Sequence, residues 1–179
     1  RKTKKAKKAK KEKKAKKGKP EEAVVYGVDV LRLWVAMSDW TSDIAIGTNV
    51  LQTNREGYRR LRNSCRFMLG NLSDFDRSAH AVPRDAMRQS DRFMLDRLGQ
   101  YLDEVEAHYN NFAIARVVST ALRFSADELS AEYFDGVKDR LYCGERDGPS
   151  RRAVQTVLDE TQRAFVLSIA PILPFLAEE

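Results

Sequence analysis

The stretch YRRLRNSCRFMLGNL, Tyr58–Leu72, decides how the chain is read. Extended back to Leu51, its apolar residues are Leu51, Tyr58, Leu61, Cys65, Met68 and Leu72, spaced by 7, 3, 4, 3 and 4. That spacing lines one face of an α-helix. Arg55, Arg59, Arg62 and Arg66 follow with steps of 4, 3 and 4 on a neighbouring face. One helix can therefore seed a core and carry a row of guanidinium groups beside it. Spacing alone leaves two readings of that row: a solvated face pairing with acidic neighbours, or a face turned to a ligand.

Outward from this helix the chain keeps the helical period. Residues 23–37 are largely apolar, and Val24, Val28, Leu31 and Val35 share one helical face. Residues 38–43 form a loop, and Thr48 or Asn49 can cap the helix that runs to Leu72. Residues 73–89 read as a loop around Pro83. The next helix starts at Ser90 or Asp91 with the stripe Met94 or Leu95, Leu98, Leu102, Val105, Tyr109, and Asn110-Asn111 breaks it. Phe112 to Cys143 reads as one long helix or two stacked ones, with Ser125 and Gly136 as possible kinks. The last long helix opens at Pro149 or Ser150 and carries Val154, Val157 or Leu158, Thr161, Phe165 and Ile169. Pro171 and Pro174 are expected to end it. The fold class expected is all-α, an antiparallel helix bundle of about four long elements.

Charge is distributed unevenly. The chain has 32 basic and 26 acidic residues, for a net charge of +6. Residues 1–20, RKTKKAKKAKKEKKAKKGKP, hold 13 of the basic residues and one acidic residue, so the remainder has 19 and 25 and is mildly acidic. The Lys-Lys-X triplet drifts around a helix and repels itself, so a disordered basic tail is expected. Two readings of it stay open: a segment that binds phosphate backbones without sequence preference, or a low-complexity extension with no selected role. Cys65 and Cys143 are too few for a disulfide framework or a zinc site. No apolar run approaches the about 20 residues that span a membrane.

Catalytic and metal motifs are not evident. The glycines are scattered rather than forming a phosphate loop, and no nucleophile-elbow pattern occurs. His80 and His108 have no evident partners for catalysis. Asp103, Glu104 and Glu106 read as surface charge on an amphipathic helix.

Several stretches together resemble one family. YGVDVLRLWVAMSDWTSDIAIG (Tyr26–Gly47), YRRLRNSCRFMLGNLSDFD (Tyr58–Asp76), KDRLYC (Lys138–Cys143), RRAVQTVL (Arg151–Leu158) and APILPFLAEE (Ala170–Glu179) resemble, in order, the isoleucyl-tRNA synthetases. They correspond to the segment after the catalytic domain and to the anticodon-binding domain. After the basic tail at 1–20, which departs from the family, the resemblance implies a connecting segment at 21–47 and a helical anticodon-binding domain at 48–179 that is C-terminally incomplete. It implies tRNA accepting isoleucine as ligand, the parent enzyme's catalytic domain as partner, and a cytoplasmic, membrane-free setting. The parent enzyme would use ATP and Mg²⁺, with no cofactor bound by this segment and no catalytic or editing residue in it. Arg55, Arg59, Arg62, Asn63 and Arg66 become candidate RNA-binding residues, joined by Lys138, Arg140 and Tyr142 from the KDRLYC run. Arg and Asn donors suit phosphates and unstacked loop bases. For the KDRLYC residues a network inside the helix ends is the competing expectation. A stand-alone RNA-binding module and a helical interaction scaffold are the alternative functions.

Overall fold

In the computed structural model the described residues are 25–44 and 46–179. The expected disordered tail at 1–20 lies outside them. The described chain is all-α: α1 (Val28–Met37), α2 (Thr48–Gly70), the short α3 (Arg77–His80), α4 (Gln89–Asn110), α5 (Ile114–Arg123), α6 (Asp135–Tyr142), α7 (Pro149–Ile169) and the short α8 (Pro174–Glu178). A π-helical segment, Phe124–Phe134, joins α5 to α6 without a break. α2, α4, the α5–α6 rod and α7 are the four long elements of the bundle.

The expected stripes form its core. Leu61, Cys65 and Met68 of α2, Met94, Leu98 and Val105 of α4, and Val154, Val157, Leu158, Phe165 and Ile169 of α7 are buried in one cluster. At its centre the rings of Tyr101 and Phe124 stack at 4.3 Å, with Phe165 tilted against both. Burial pushes the Tyr101 hydroxyl far above the usual tyrosine range, so it stays protonated and bonds Ser168 Oγ at 2.6 Å. The same desolvation raises the Cys65 thiol to about 11, which makes it a small inert apolar group.

α1 turns outward the face that its apolar spacing singles out. Its face Val28, Leu31, Val35 is exposed, while Val30 and Leu33 are buried. The helix is apolar on nearly every side, so periodicity could not choose between faces. The choice is made by polar anchors. Arg32 donates to the carbonyls of Pro171 and Ile172 at 2.9 and 2.8 Å. Buried Asp29 accepts from Leu176 N–H at 2.8 Å, an anion placed at the start of α8. Leu33 thereby joins the same core as the rest of the bundle.

Other local readings also shift. Gly47 precedes α2 and neither Thr48 nor Asn49 supplies a side-chain cap. The loop at 73–89 contains α3, capped by Asp76 through Ser78 N–H at 2.8 Å, with His80 Nδ1 accepting from Asp76 N–H at 2.9 Å. Pro174 opens α8 instead of ending α7, since its missing N–H is harmless at a first helical position. Gly136 lies within α6 and causes no interruption, whereas Ser125 sits in the π-helical segment. α4 runs to Asn110, and Phe112 then takes the left-handed conformation, φ 53°. A phenylalanine in that region is strained by about 1–3 kcal/mol. Its ring is left 87% exposed.

Candidate nucleic-acid interface

The geometry of α2 follows from its two stripes. Leu61, Cys65 and Met68 hold one face against the core, so the opposite face must point to solvent. Arg55, Arg59, Arg60, Asn63 and Arg66 are all exposed there. Arg59 forms an exposed pair with Glu56 at 3.3 Å, one turn away. Arg55, Arg60 and Arg66 make no ion pair among the described residues, and Asn63 makes no side-chain hydrogen bond among them. Arg62 is placed differently. Its guanidinium takes a two-point grip on the Glu179 carboxylate, and this hydrogen bonding holds that carboxyl below its usual range.

The three candidates on α6 separate in the same way. Lys138 is exposed and bonded to Asp135 at 2.5 Å. Tyr142 is exposed as well. Arg140 is drawn inward, with its side chain 11% exposed. It donates to both oxygens of fully buried Asp91, at 2.8 and 2.6 Å, and to Ser150 Oγ and carbonyl, at 3.0 and 2.8 Å. Tyr133 O–H completes the set on Asp91 at 3.0 Å, and desolvation keeps that phenol protonated. The guanidinium of Arg140 thus has four of its five donors engaged inside the bundle, as the network reading of the helix ends expects.

A second internal network sits where α2, α6 and α7 meet. Arg151 forks onto Asp74 at 2.8 and 3.1 Å, and Gln155 adds a bond at 2.7 Å. Arg152 donates to the Asp74 carbonyl at 2.9 Å and to Asp147 at 2.5 Å. The Arg151 bonds, joined by Gln155 and the nearby Arg152 charge, hold the Asp74 carboxyl well below the usual carboxylate range.

The exposed candidates fall around separate hollows. Asn63 and Lys138 line one groove of about 440 Å³ between α2 and the π-helical segment, together with Arg60. Arg62 and Arg66 border another, with Arg163, Leu69 and Leu167. Arg60 and Arg163 are cations that the α2 stripe did not bring to notice. The 4-3-4 step passes over Arg60, and Arg163 lies on α7, whose stripe reads only as core. A larger apolar hollow of about 820 Å³ lies across the exposed face of α1, bordered by Val28, Leu31, Val35, Trp40, Phe112 and Pro171. Among the described residues no three His, Cys, Asp or Glu side chains converge as a metal site would require. No helix among them is long and apolar enough to cross a membrane.

Known proteins with similar sequences place the chain among tRNA ligases. Residues 91–179 match the family described as the anticodon-binding domain of tRNA ligase. The isoleucine–tRNA ligase of Geobacillus kaustophilus is 46% identical over 154 residues, 86% of this chain and 17% of that enzyme. That of Persephonella marina is 42% identical over 161 residues, 89% of this chain and 17% of that enzyme. That of Xylella fastidiosa is 38% identical over 162 residues, 90% of this chain and again 17% of the relative.

Proposed function

We propose, for a chain that belongs to the isoleucine–tRNA ligase family and spans 17% of the length of those relatives, that its helical body grips the anticodon stem-loop of an isoleucine-accepting tRNA. The observation that carries this reading is the outward row Arg55, Arg59, Asn63, Arg66. It lies on a helix whose other face is fixed in the core. Arg59 spends part of its charge on one exposed neighbour. Such a pair is weak in water and readily exchanged for a phosphate. Asn63 adds a donor and an acceptor within the row. Lys138 and Tyr142 are exposed on α6 and extend the surface; Arg62 is engaged by Glu179 in an exposed pair, whereas Arg140 acts inside the protein, on Asp91.

The remaining length of the parent enzyme carries the chemistry: ATP-dependent activation of isoleucine with Mg²⁺, and transfer to tRNA. The described residues offer Mg²⁺ no carboxylate cluster, so no step is assigned to them through that ion. The catalytic part of the same enzyme docks on the apolar hollow of α1. Trp40 and Phe112, 85% and 87% exposed, would otherwise stand in water beside Val35. The enzyme works in the cytoplasm.

The test is a titration of the chain with isoleucine-accepting tRNA and with an unrelated tRNA at two salt concentrations. A preference for the first that persists at the higher salt supports recognition by the folded body. A Lys-rich tail alone supplies affinity without sequence preference. Equal affinity for both tRNAs at the higher salt refutes it.

A further inference from the structure

Among the described residues nothing covers the outer face of α1. Val28, Leu31 and Val35 are exposed along the hollow of about 820 Å³, and Trp40 and Phe112 stand exposed on its border. Phe112 is held there against its backbone preference, at φ 53°. Glycine would make the same turn without that strain. A ring kept at such a cost and left in water gains nothing unless it meets a partner. Two charged residues also border the hollow and make no ion pair among the described residues, Asp39 and Arg116. The Asp39 carboxylate is bonded by its neighbour Thr41, at 3.0 Å to the N–H and 2.6 Å to the hydroxyl. Arg32, the other cation of the hollow, is already engaged by the carbonyls of Pro171 and Ile172.

We infer that this face receives a second copy of the chain in a two-fold contact, with Trp40 and Phe112 of each copy seated against the hollow of the other. A two-fold contact needs a surface that complements itself, so that what one copy offers at one point the other receives there. This face has both halves: two exposed rings beside a hollow, and one unpaired anion beside one unpaired cation. Asp39 of one copy then pairs with Arg116 of the other, twice over. Such rim pairs fix register more than they add affinity. The two rings bury about 300–400 Å² per copy, toward the roughly 800 Å² per partner of a standard interface, and the aliphatic face of α1 adds to this. Other occupants fit less well. A phosphate backbone would find one unengaged cation there, Arg116, and the Lys-rich tail one carboxylate, Asp39. The catalytic part of the parent enzyme would compete for the same face, so the pairing belongs to the chain when that part is not bound. The contact does not depend on RNA binding.

Sedimentation velocity of the full chain over a concentration series tests this, at about 0.5 M salt so that pairing between the Lys-rich tail and the acidic body is screened. The mass should shift from one 20.5 kDa chain to two, with a dissociation constant on the order of micromolar. Trp40→Asp and Phe112→Gly should each weaken the dimer at least about tenfold. Phe112→Gly also relieves the strained backbone. Its melting temperature, measured where both proteins are monomeric, should therefore equal or exceed that of the wild type. At low salt, Asp39→Arg alone and Arg116→Asp alone should each weaken the dimer about fivefold, and the two together should restore it. A chain that stays monomeric at every concentration overturns the inference. So does a dimer untouched by Trp40→Asp and Phe112→Gly, which would use another face. Growth beyond two copies would mean a contact that does not close, and association seen only at low salt would be the tail's; either result also overturns it.

Discussion

Arg59 and Arg140 are the same residue type on two helices of one bundle, and their surroundings give them opposite roles. Arg59 faces water and holds one exposed glutamate at 3.3 Å. Arg140 holds both oxygens of an aspartate with no exposure, plus a serine hydroxyl and carbonyl. Arg151 and Arg152 repeat the second pattern around Asp74. The difference teaches that an arginine's availability depends on the acceptors within its reach. A guanidinium has five donors. Where the fold already fills most of them from a sheltered site, an arriving phosphate would have to break the protein to bind.

The strongest way to break this comparison is to remove the acceptor of the internal set. Asp91→Ala leaves Arg140 sheltered without its carboxylate and should destabilise the protein by about 3–5 kcal/mol. Denaturant unfolding measures this, and a loss below about 1 kcal/mol would place Arg140 with the free surface cations. A smaller effect is expected at Asp74, which is reached from the surface. Asp74→Asn should lose about 1.5–3 kcal/mol at neutral pH, the range for hydrogen bonds to a charged group. Its folded carboxyl titrates below the unfolded one, so the contribution is complete above the unfolded pKa of about 4 and fades as pH falls through the folded value. Unfolding measured from neutral to acid pH should therefore show the wild-type advantage shrinking on acidification. A gap constant with pH would mean that the Asp74 charge contributes nothing.

Much of the fold was legible because four long segments keep one period and have clear ends, as at Asn110-Asn111 and Pro149. The facing of α1 was not legible because Val28, Leu31 and Val35 are as apolar as Val30 and Leu33. Its orientation is set by Arg32 and Asp29 reaching residues 139–147 positions away. The π-helical segment has no signature in its apolar spacing. For the candidate interface, the stripe of α2 predicted which residues share a face. It could not tell that Arg62 meets Glu179, 117 positions along the chain. Arg140 carries the same limit: its motif was visible, but Asp91 becomes its neighbour only when α4 and α6 pack. Arg60 stayed unnoticed because it leaves the 4-3-4 step, and only the groove beside it draws attention to it.

The account's central claim is that the outward cations of α2, and not the sheltered ones of α6 and α7, meet the RNA backbone. The salt dependence of tRNA binding tests this most directly, comparing wild type with Arg55→Ala, Arg59→Ala and Arg66→Ala combined. Each phosphate contact contributes about 0.7–0.9 to the slope of log K against log salt, so the triple variant should lower the slope by about 2–3. Its melting temperature should not change. A slope and affinity equal to those of the wild type would contradict the claim.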